Sequence, residues 1–247
     1  MQIGVKTDKG VMREKNEDSY FVSEDRRFFI IADGVGGCNA GDIASKTAVE
    51  SSADFLMHNS LDKDASDKEV YGCLSACIKK VNHNILDIAR SDIEYKGMGT
   101  TIIILYTFSD KVFLAHMGDS RAYLLRNKEI TQITEDHTIP GELLRSGKIS
   151  FKEAENHPQR NVITKALGMT EEIEADMYKI VLKDKDIMIL CTDGLYEEVD
   201  ENEIIDLFSD KENIQLSCDI IVKLVNSRQS KDNITILALK NGGDDIQ

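Results

Sequence analysis

The sequence predicts an α+β fold in which amphipathic helices cover antiparallel sheets. Three observations predict it: hairpins of short apolar strands, two long segments with helical spacing of apolar residues, and buried strands that end in an acid. Apolar runs separated by tight polar turns are typical of antiparallel strands. An apolar helical stripe needs a sheet or a second helix to cover it. The 247 residues, 41% of them hydrophobic, suffice for a sizeable core.

The composition predicts one domain over residues 1–247. The chain has only two prolines and no linker rich in Ser or Gly, so no position stands out as a domain boundary. Its formal net charge of -14 argues against nucleic acid as a partner, because a polyanion is bound by basic patches. The excess of carboxylates serves solubility, metal binding, or both.

The sequence also predicts a cytoplasmic protein without a membrane partner. No apolar run has the length of a signal peptide or a membrane span. Five cysteines without a CxxC pair are typical of a reducing compartment. Among them, Cys38 follows a glycine run and is the thiol that we expect to be most open to oxidation.

The first hairpin joins residues 18–23 to residues 28–33 through a polar loop. In this register Ser23 faces Phe28 and Asp18 stands opposite Asp33. Two carboxylates this close repel each other unless one is protonated or a cation lies between them. The hairpin therefore predicts a cation, whereas a register slipped by one residue would turn Asp18 to the other face.

A buried strand that ends in Asp-Gly occurs twice. Asp33 precedes a glycine run formed by Gly34, Gly36 and Gly37, and Asp193 follows the strand over 187–191. A charged Asp at the rim of a buried sheet needs a cation or donors, although Asp-Gly is also ordinary turn chemistry. The closing strand over 231–239 has Asp232 at its entrance, so antiparallel pairing would place Asp193 and Asp232 at the same sheet end.

Helical spacing predicts covering helices over 42–58 and 67–90, and further helices over 141–146, 201–208 and 214–226. A block of strands lies between them, over 97–106, 111–117 and 121–126. Its tight turn contains Asp119, which turn chemistry alone would also explain. The polar stretch 131–168 indicates an inserted flap, and its His137 is either a titrating group or a locally hydrogen-bonded residue. We expect the tail over 242–245 to fray.

The acids at strand ends and turns predict a hard cation, since no matching set of His or Cys accompanies them. They are Glu17, Asp18, Asp33, Asp119, Asp193 and Asp232. Carboxylates, carbonyls and water suit Mg²⁺ or Mn²⁺, and no EF-hand loop is present in the sequence. One Asp bridging two ions about 4 Å apart would make a two-metal hydrolase acting on phosphoryl groups. Arg13 could bind the phosphate or could be a solvated surface residue.

Six short motifs in order resemble those of the metal-dependent PP2C-type protein serine/threonine phosphatases of bacteria. They span residues 13–235 and are Arg13 with Asn16-Glu17-Asp18, Asp33-Gly34-Val35-Gly36-Gly37, Gly99-Thr100-Thr101, Gly118-Asp119-Ser120-Arg121, Thr192-Asp193-Gly194 and Asp232-Asn233-Ile234-Thr235. The resemblance implies a four-layer αββα sandwich, with two antiparallel β-sheets flanked by helices. It also implies a metal centre with two Mn²⁺ or Mg²⁺ ions and a weaker third site.

The resemblance assigns a role to each residue. It implies that Asp33 bridges both ions while the Gly34 carbonyl binds one of them, and that Asp193 and Asp232 complete the other. It further implies that Glu17 and Asp18 hold metal-bound water and that Arg13 binds the phosphate. Asp119 together with Asp193 would form the third metal site, and the flap over 138–168 would shape substrate access.

Two positions depart from the family pattern. Many eukaryotic relatives have His where this chain has Val35, so another group must protonate the departing alkoxide, and we expect metal-bound water to do so. Lys165 stands where Arg is frequent, which bears on contacts of the flap and leaves the chemistry unchanged.

The expected function is hydrolysis of phosphoserine and phosphothreonine on proteins, by direct attack of metal-activated water. We expect a monomer that opposes a bacterial serine/threonine kinase. Two alternatives stay open at this point: a scaffold that keeps the fold without catalysis, and a metal-dependent hydrolase of small phosphate esters or diesters.

Overall fold

The computed structural model describes residues 1–35, 40–62, 64–108, 110–209 and 211–242. Gly36, Gly37 and Cys38 lie outside the described residues, and so does most of the tail that was expected to fray. None of the helices in the described ranges combines the length and the apolar character needed to cross a membrane.

The described residues form eleven strands and seven α-helices. The strands are β1 (Gln2–Asp8), β2 (Asp18–Val22), β3 (Phe28–Val35), β4 (Gly99–Thr100), β5 (Ile102–Phe108), β6 (Lys111–Met117), β7 (Arg121–Arg126), β8 (Glu129–Gln132), β9 (Asp176–Val181), β10 (Ile187–Cys191) and β11 (Ile234–Lys240). The helices are α1 (Gly41–His58), α2 (Asp67–Ser91), α3 (Ile139–Arg145), α4 (Phe151–Glu155), α5 (Asp193–Tyr196), α6 (Glu201–Phe208) and α7 (Ile214–Ser227), and a short 3₁₀ helix covers Ile93–Tyr95.

The strands form two antiparallel sheets. One sheet has the order β1-β11-β10-β7-β8, and the other has the order β2-β3-β5-β6-β9 with β4 paired to β3. The two sheets pack face to face over a shared apolar layer that includes Phe29 and Leu105 from one sheet and Leu190 and Leu237 from the other. Their side chains are buried and account for a large share of the hydrophobic stabilisation.

Helices cover the outer face of each sheet. The second sheet packs against α1 and α2 around residues such as Ala48 and Leu74, and the first packs against α6 and α7 around residues such as Phe208 and Val222. The order of layers is therefore helix, sheet, sheet, helix, which is the αββα arrangement that the resemblance implied.

Both strand pairings predicted from the sequence are confirmed. Asp18 is the register partner of Asp33 in the hairpin of β2 and β3, and Ser23 N donates to Phe28 O at 3.0 Å. Strands β10 and β11 run antiparallel, with Cys191 opposite Ile236. The unslipped register directs Asp18 to the same sheet end as Asp33.

Several elements escaped the sequence prediction. Strand β1 covers the start of the chain, β8 and α4 lie within or next to the segment read as irregular, and the edge strand β9 follows it. Strand β9 has no fully buried residue and contains charged side chains, so it lacks the continuous apolar run by which central strands were found. Helix α5 has only four residues, which is too short to show a helical period.

Candidate metal centre

Acidic residues from both sheets converge at one end of the sandwich. Burial raises the pKa of Asp33 well above its usual value, and the charges that raise it further come from a set of four carboxylates: Asp18, Asp193, Asp119 and Asp232. Asp18 and Asp33 belong to one sheet, whereas Asp193 and Asp232 flank neighbouring strands of the other. The centre is therefore assembled from segments far apart in the chain.

The backbone of Asp33 is held by two threonines, one at the end of β4 and one directly before β5. Thr101 N donates to Asp33 O at 2.9 Å, and Asp33 N donates to Thr101 Oγ1 at 2.9 Å. Thr100 Oγ1 adds a donor to Asp33 O at 2.8 Å. These contacts fix the last part of β3, so the Asp33 carboxylate starts from a rigid backbone.

Gly34 O and Glu17 Oε2, two oxygens that the sequence predicted for the metal centre, lie close to the position that a side chain at Gly41 would occupy. A Cβ at Gly41 would lie 2.8 Å from Gly34 O and 3.1 Å from Glu17 Oε2. A Cβ at Gly34 would lie only 2.1 Å from Gly41 O, so both positions require glycine. Sequence reasoning missed Gly41, because its partner Gly34 becomes its neighbour only when α1 docks beside β3.

Asp18 extends from one sheet to the other. Its Oδ2 accepts hydrogen bonds from Thr192 Oγ1 at 2.9 Å and Thr235 Oγ1 at 2.6 Å. Its Oδ1 is buried and has no hydrogen-bond partner among the described residues. Burial, together with repulsion from Asp193 and Asp232, raises the pKa of Asp18 to about 7 despite the two threonine donors.

Asp193 and Asp232 approach each other because Gly194 carries no side chain. A Cβ at Gly194 would lie 2.0 Å from Asn233 O and 3.1 Å from the Cβ of Asp232. Asp193 Oδ1 is a second buried oxygen without a partner within the described ranges. Burial and the nearby Asp232 raise the pKa of Asp193 to about 7.

Asp119 stands on the Asp193 side of the centre, in the turn between β6 and β7. Its backbone oxygen accepts from Tyr196 Oη at 3.0 Å, and its side chain is buried. Burial, then the charge of Asp193, raises its pKa well above the usual value. The structure thus brings Asp119 beside Asp193, as the predicted third site requires.

Arg13 lies at the exposed rim of the centre. Its Nη2 donates to Asp232 Oδ2 at 2.7 Å and its Nε donates to Lys231 O at 2.9 Å. A guanidinium has five N–H donors, so three remain for another acceptor. The side chain is therefore tied to the acidic cluster and can still bind an anion.

Asn233 is a second residue whose role the sequence did not reveal. Its Oδ1 accepts from Glu17 N, and its Nδ2 donates to Lys9 O and Lys15 O, each at 2.8 Å. Through these hydrogen bonds, Asn233 holds the loop that contains Arg13 and Glu17 in place beside Asp232. The motif placed Asn233 beside an acid, but its three partners are more than 200 residues away.

The donor set fits hard divalent cations. Among the described residues, no three His, Cys, Asp or Glu side chains already stand in a geometry that would hold an ion by themselves. The oxygens without partners nevertheless belong to Asp18 and Asp193, whose charges interact, and the carbonyl of Gly34 and Glu17 Oε2 both lie near Gly41. Mg²⁺ and Mn²⁺ keep several water ligands, so one or two carboxylates for each ion suffice.

A cavity of about 610 Å³ opens beside this centre. Asp119 and Asp193 line one side, and α3 and α4 line the other through Leu144, Phe151 and other residues. Phe151 has 68% of its surface exposed, so an apolar side chain faces the cavity from the segment predicted as a flap.

Comparisons with known proteins agree with this geometry. A model of the protein phosphatase 2C family matches residues 12–229, which is most of the chain. The chain belongs to the protein phosphatase 2C family. This confirms the resemblance found in the ordered motifs, and it makes the protein a phosphatase, that is, a hydrolase.

Individual relatives support the assignment over the full length. The phosphatase is 37% identical to the serine/threonine phosphatase stp of Listeria welshimeri over 97% of this chain and 96% of that one. The crystal structure of Stp1 from Staphylococcus aureus superposes with a TM-score of 0.90 at 34% identity, covering 98% of this chain and 95% of that chain. The two antiparallel sheets and their helical layers are thus those of the family.

One solved relative contains the predicted metal. The catalytic domain of the serine/threonine protein phosphatase PstP, solved in complex with two manganese ions, has a TM-score of 0.82 and 30% identity, with 98% of each chain covered. Metal dependence is general to the family, and the oxygen-rich centre of this phosphatase agrees with it.

Proposed function

We propose that the phosphatase hydrolyses phosphoserine and phosphothreonine on proteins at a centre of two Mn²⁺ or Mg²⁺ ions. The observation that carries the proposal is the meeting of carboxylates from both sheets, with buried oxygens on Asp18 and Asp193 that lack partners. In a protein without bound cations these carboxylates must share protons, which is costly near neutral pH. Bound cations would offset the repulsion between these carboxylates and allow them to stay ionised.

We assign the ligands by combining family membership with this geometry. Asp33 interacts electrostatically with all four of the other aspartates of the cluster and would serve both ions, and the Gly34 carbonyl would serve one. Asp193 and Asp232 would hold the other ion, and Asp119 with Asp193 would hold a weaker third. When bound, the ions lower the pKa of water and stabilise charge on the phosphoryl group.

The protein groups around the ions then orient the reactants. Glu17 and Asp18 offer carboxylate oxygens that accept hydrogen bonds from water, and the two threonines that bind Asp18 Oδ2 fix its direction. Arg13 has three unused N–H donors and would bind two phosphate oxygens without leaving Asp232. With these carboxylates assigned to the ions and to their bound water, attack by water without a phosphoenzyme suits the site.

We further propose that residues 138–168 form the flap of a single domain over 1–247 and shape substrate access through the cavity. The apolar wall from α3 and α4 suits a peptide beside the phosphorylated residue better than a free phosphate ester. We also propose that the protein is a cytoplasmic monomer that reverses the action of a serine/threonine kinase.

The test measures hydrolysis of a phosphothreonine peptide with and without Mn²⁺, in the wild type and in Asp33→Asn. We expect Mn²⁺-dependent turnover that falls at least 100-fold in the variant, because the bridging carboxylate is lost. The matched control is Asp87→Asn on the exposed face of α2, which should retain full activity. Equal activity of the wild type and Asp33→Asn would refute the assignment.

A substrate comparison separates the proposal from its alternatives. The same protein should hydrolyse the phosphopeptide with a kcat/KM at least tenfold above that for a nucleotide monophosphate or a phosphodiester. A preference for the nucleotide or the diester would show a small-molecule hydrolase. If none of the substrates were turned over in a metal-dependent way, the protein would be a scaffold.

A further inference from the structure

His137 connects the flap to the turn that carries Asp119. It lies just before α3, and only 3% of its surface is exposed. Its backbone N donates to Gly118 O at 2.8 Å, and its Nδ1 accepts from Gly118 N at 2.9 Å. Both polar backbone groups of Gly118, the residue before Asp119, are therefore satisfied by this one histidine.

The other ring nitrogen is fixed by an ion pair behind it. His137 Nε2 lies 3.2 Å from Asp176 Oδ2, and Lys165 Nζ donates to Asp176 Oδ1 at 3.0 Å. Because Nδ1 accepts the Gly118 N–H, the proton of the neutral ring is on Nε2 and is donated to Asp176. Lys165, one of the two positions at which the sequence departs from the family pattern, thus holds the carboxylate that sets this tautomer.

The surroundings keep the ring neutral. His116 stacks on His137 with ring centroids 4.9 Å apart and an interplanar angle of 16°, and its side chain is fully buried. Burial lowers the pKa of His137 and outweighs the opposite effect of Asp176, whereas burial and then the charge of His137 lower the pKa of His116. Arg145, whose Nη1 lies 3.9 Å from Asp176 Oδ2, adds a further positive charge near the ring.

The turn held by His137 is coupled to Asp33 as well as to Asp119. Thr101 and Ser120 share a hydrogen bond of 2.7 Å between their hydroxyl groups, and Thr101 also binds the backbone of Asp33. Gly118 adopts a φ of +111°, and a Cβ there would lie 2.5 Å from a side-chain carbon of Thr101. The turn therefore has little freedom to move without disturbing the metal centre.

We propose that His137 is a positioning residue, and that Lys165 and Asp176 fix its Nε2–H tautomer so that it holds the Gly118–Ser120 turn and orients Asp119. The functional part of this inference rests on the metal role proposed for Asp119. The hydrogen bond of the ring with Gly118 N–H is independent of that role, since it is a property of the metal-free protein.

The first test is made without metal, by nuclear magnetic resonance. We expect the ¹⁵N shifts of His137 to show an unprotonated Nδ1 and a protonated Nε2, and we expect slow exchange of the Gly118 amide. Asp176→Leu removes the acceptor for Nε2–H at similar side-chain volume, so the Gly118 amide should exchange at least tenfold faster. A protonated Nδ1 in the wild type, or unchanged exchange in Asp176→Leu, would overturn the proposal.

The second test compares two replacements of the same ring. His137→Asn can place an oxygen near the former Nδ1 and still accept from Gly118 N, whereas His137→Gln extends its amide toward Asp176 and leaves Gly118 N–H without an acceptor. We expect the Asn variant to need about the same Mn²⁺ concentration for half-maximal activity. The Gln variant should need about tenfold more, as is usual when a residue that orients a ligand is lost.

His83→Gln is the matched control, because His83 also pairs with an aspartate, at 3.2 Å, but on the exposed face of α2. It should match the wild type. If His137→Asn and His137→Gln raise the Mn²⁺ requirement equally, the acceptor for Gly118 N–H has no special role and the proposal is wrong.

A double-mutant cycle then separates this inference from the proposed function. If His137 acts through Asp119, then His137→Gln should add no further Mn²⁺ requirement in an Asp119→Asn background. Fully additive effects would overturn the positioning role. If Asp119→Asn alone changes nothing, the metal role proposed for Asp119 fails, and the tautomer and amide exchange still decide whether His137 holds the turn.

Discussion

Asp18 illustrates the conflict between stability and function at the scale of one residue. Its carboxylate has 7% of its surface exposed, and one of its oxygens has no hydrogen-bond partner among the described residues. A buried polar atom without a partner costs about 1–3 kcal/mol, and more if it is charged. Such a cost can be retained where a ligand supplies the missing interaction, and the acidic surroundings of Asp18 favour the cation-bound water that we propose for it.

Val35 permits a prediction about the proton donor. Val35 pairs with Gly99 beside the metal centre, so a histidine there would lie next to Gly34. We expect Val35→His to leave the hydrolysis of an aryl phosphate nearly unchanged, because an aryl oxide is a good leaving group that needs no proton. The measurement is kcat for an aryl phosphate and for a phosphoserine peptide. Similar increases in kcat for the two substrates would contradict the idea that a histidine at position 35 protonates the leaving group.

The acids of the site could be predicted from the sequence, whereas their supports could not. Asp33 and Asp193 follow apolar strands and precede glycine, a local signal that needs no partner. Gly41 and Asn233 act through contacts with residues distant in the chain, and nothing in their immediate neighbours indicates those contacts. For His137 the sequence left two interpretations open, a titrating group or a locally hydrogen-bonded residue. In the structure it is hydrogen-bonded, but its partners Gly118 and Asp176 are distant in the chain.

At the scale of elements, the approach of α5 to β11 gives a prediction about packing. Gly194→Ala would place a Cβ 2.0 Å from Asn233 O, so α5 must move away from Asp232. We expect a loss of about 1–3 kcal/mol in the free energy of unfolding and a higher Mn²⁺ requirement. Denaturant titration and activity at varied Mn²⁺ measure these two effects.

Gly72→Ala is the matched control for that substitution. Gly72 lies inside α2, and a Cβ there would meet nothing within 4 Å. Because alanine favours the helix, this variant should gain about 0.5–1 kcal/mol of stability and keep its Mn²⁺ requirement. If Gly194→Ala behaved in the same way, the close contact would not be needed for the metal centre.

The start of β10 depends on an ion pair that gives a prediction about pH. Asp186 is 2% exposed, and its Oδ1 accepts from Arg126 Nε at 2.9 Å while its Oδ2 accepts from Lys183 N at 2.7 Å. Burial raises the pKa of Asp186, but these donors outweigh it and hold the pKa below its usual value. The ionised form is therefore favoured by folding.

We expect Asp186→Asn to lower the free energy of unfolding by about 2 kcal/mol at pH 7. A lowered pKa stabilises the fold above the unfolded value of about 3.9, and that stabilisation disappears as pH falls through the folded value. The difference between wild type and variant should therefore shrink below about pH 4. Urea titrations between pH 7 and pH 3 measure it, and a difference that stayed constant with pH would contradict the role of the charge.

The element predictions succeeded where a segment carried its own signal. Long apolar periods located α1, α2 and α7, and paired runs with polar loops located the hairpins. The edge strands β1, β8 and β9 carry weaker patterns, since strands at a sheet edge bury less of their surface. They became recognisable only through their pairing with β11, β7 and β6.

For the whole molecule, the metal centre links binding to stability. A ligand at 100 times its Kd adds about 2.7 kcal/mol to the free energy of unfolding, and each kcal/mol shifts Tm by about 2–4 °C in a chain of 150–250 residues. We therefore expect Mn²⁺ to raise the Tm of the metal-free protein by about 5–10 °C. Differential scanning calorimetry with and without Mn²⁺ measures the shift.

Asp193→Asn provides the comparison, because it removes a carboxylate shared by two of the proposed ion sites. The variant should be at least as stable as the wild type without metal, since repulsion from Asp232 is relieved. Its Tm should rise much less with Mn²⁺. An equal shift in both proteins would show that the ions bind elsewhere.

The pairing of β11 with both β1 and β10 has a consequence for the protein during its synthesis. Strand β11 and Asp232 are translated long after Asp18 and Asp33, and the buried threonine Thr235 that binds Asp18 arrives later still. A nascent polypeptide on the ribosome can therefore begin to pair β2 with β3 but cannot complete the proposed metal centre. With the ligands that we propose, dephosphorylation by this enzyme must wait until the ribosome has delivered β11.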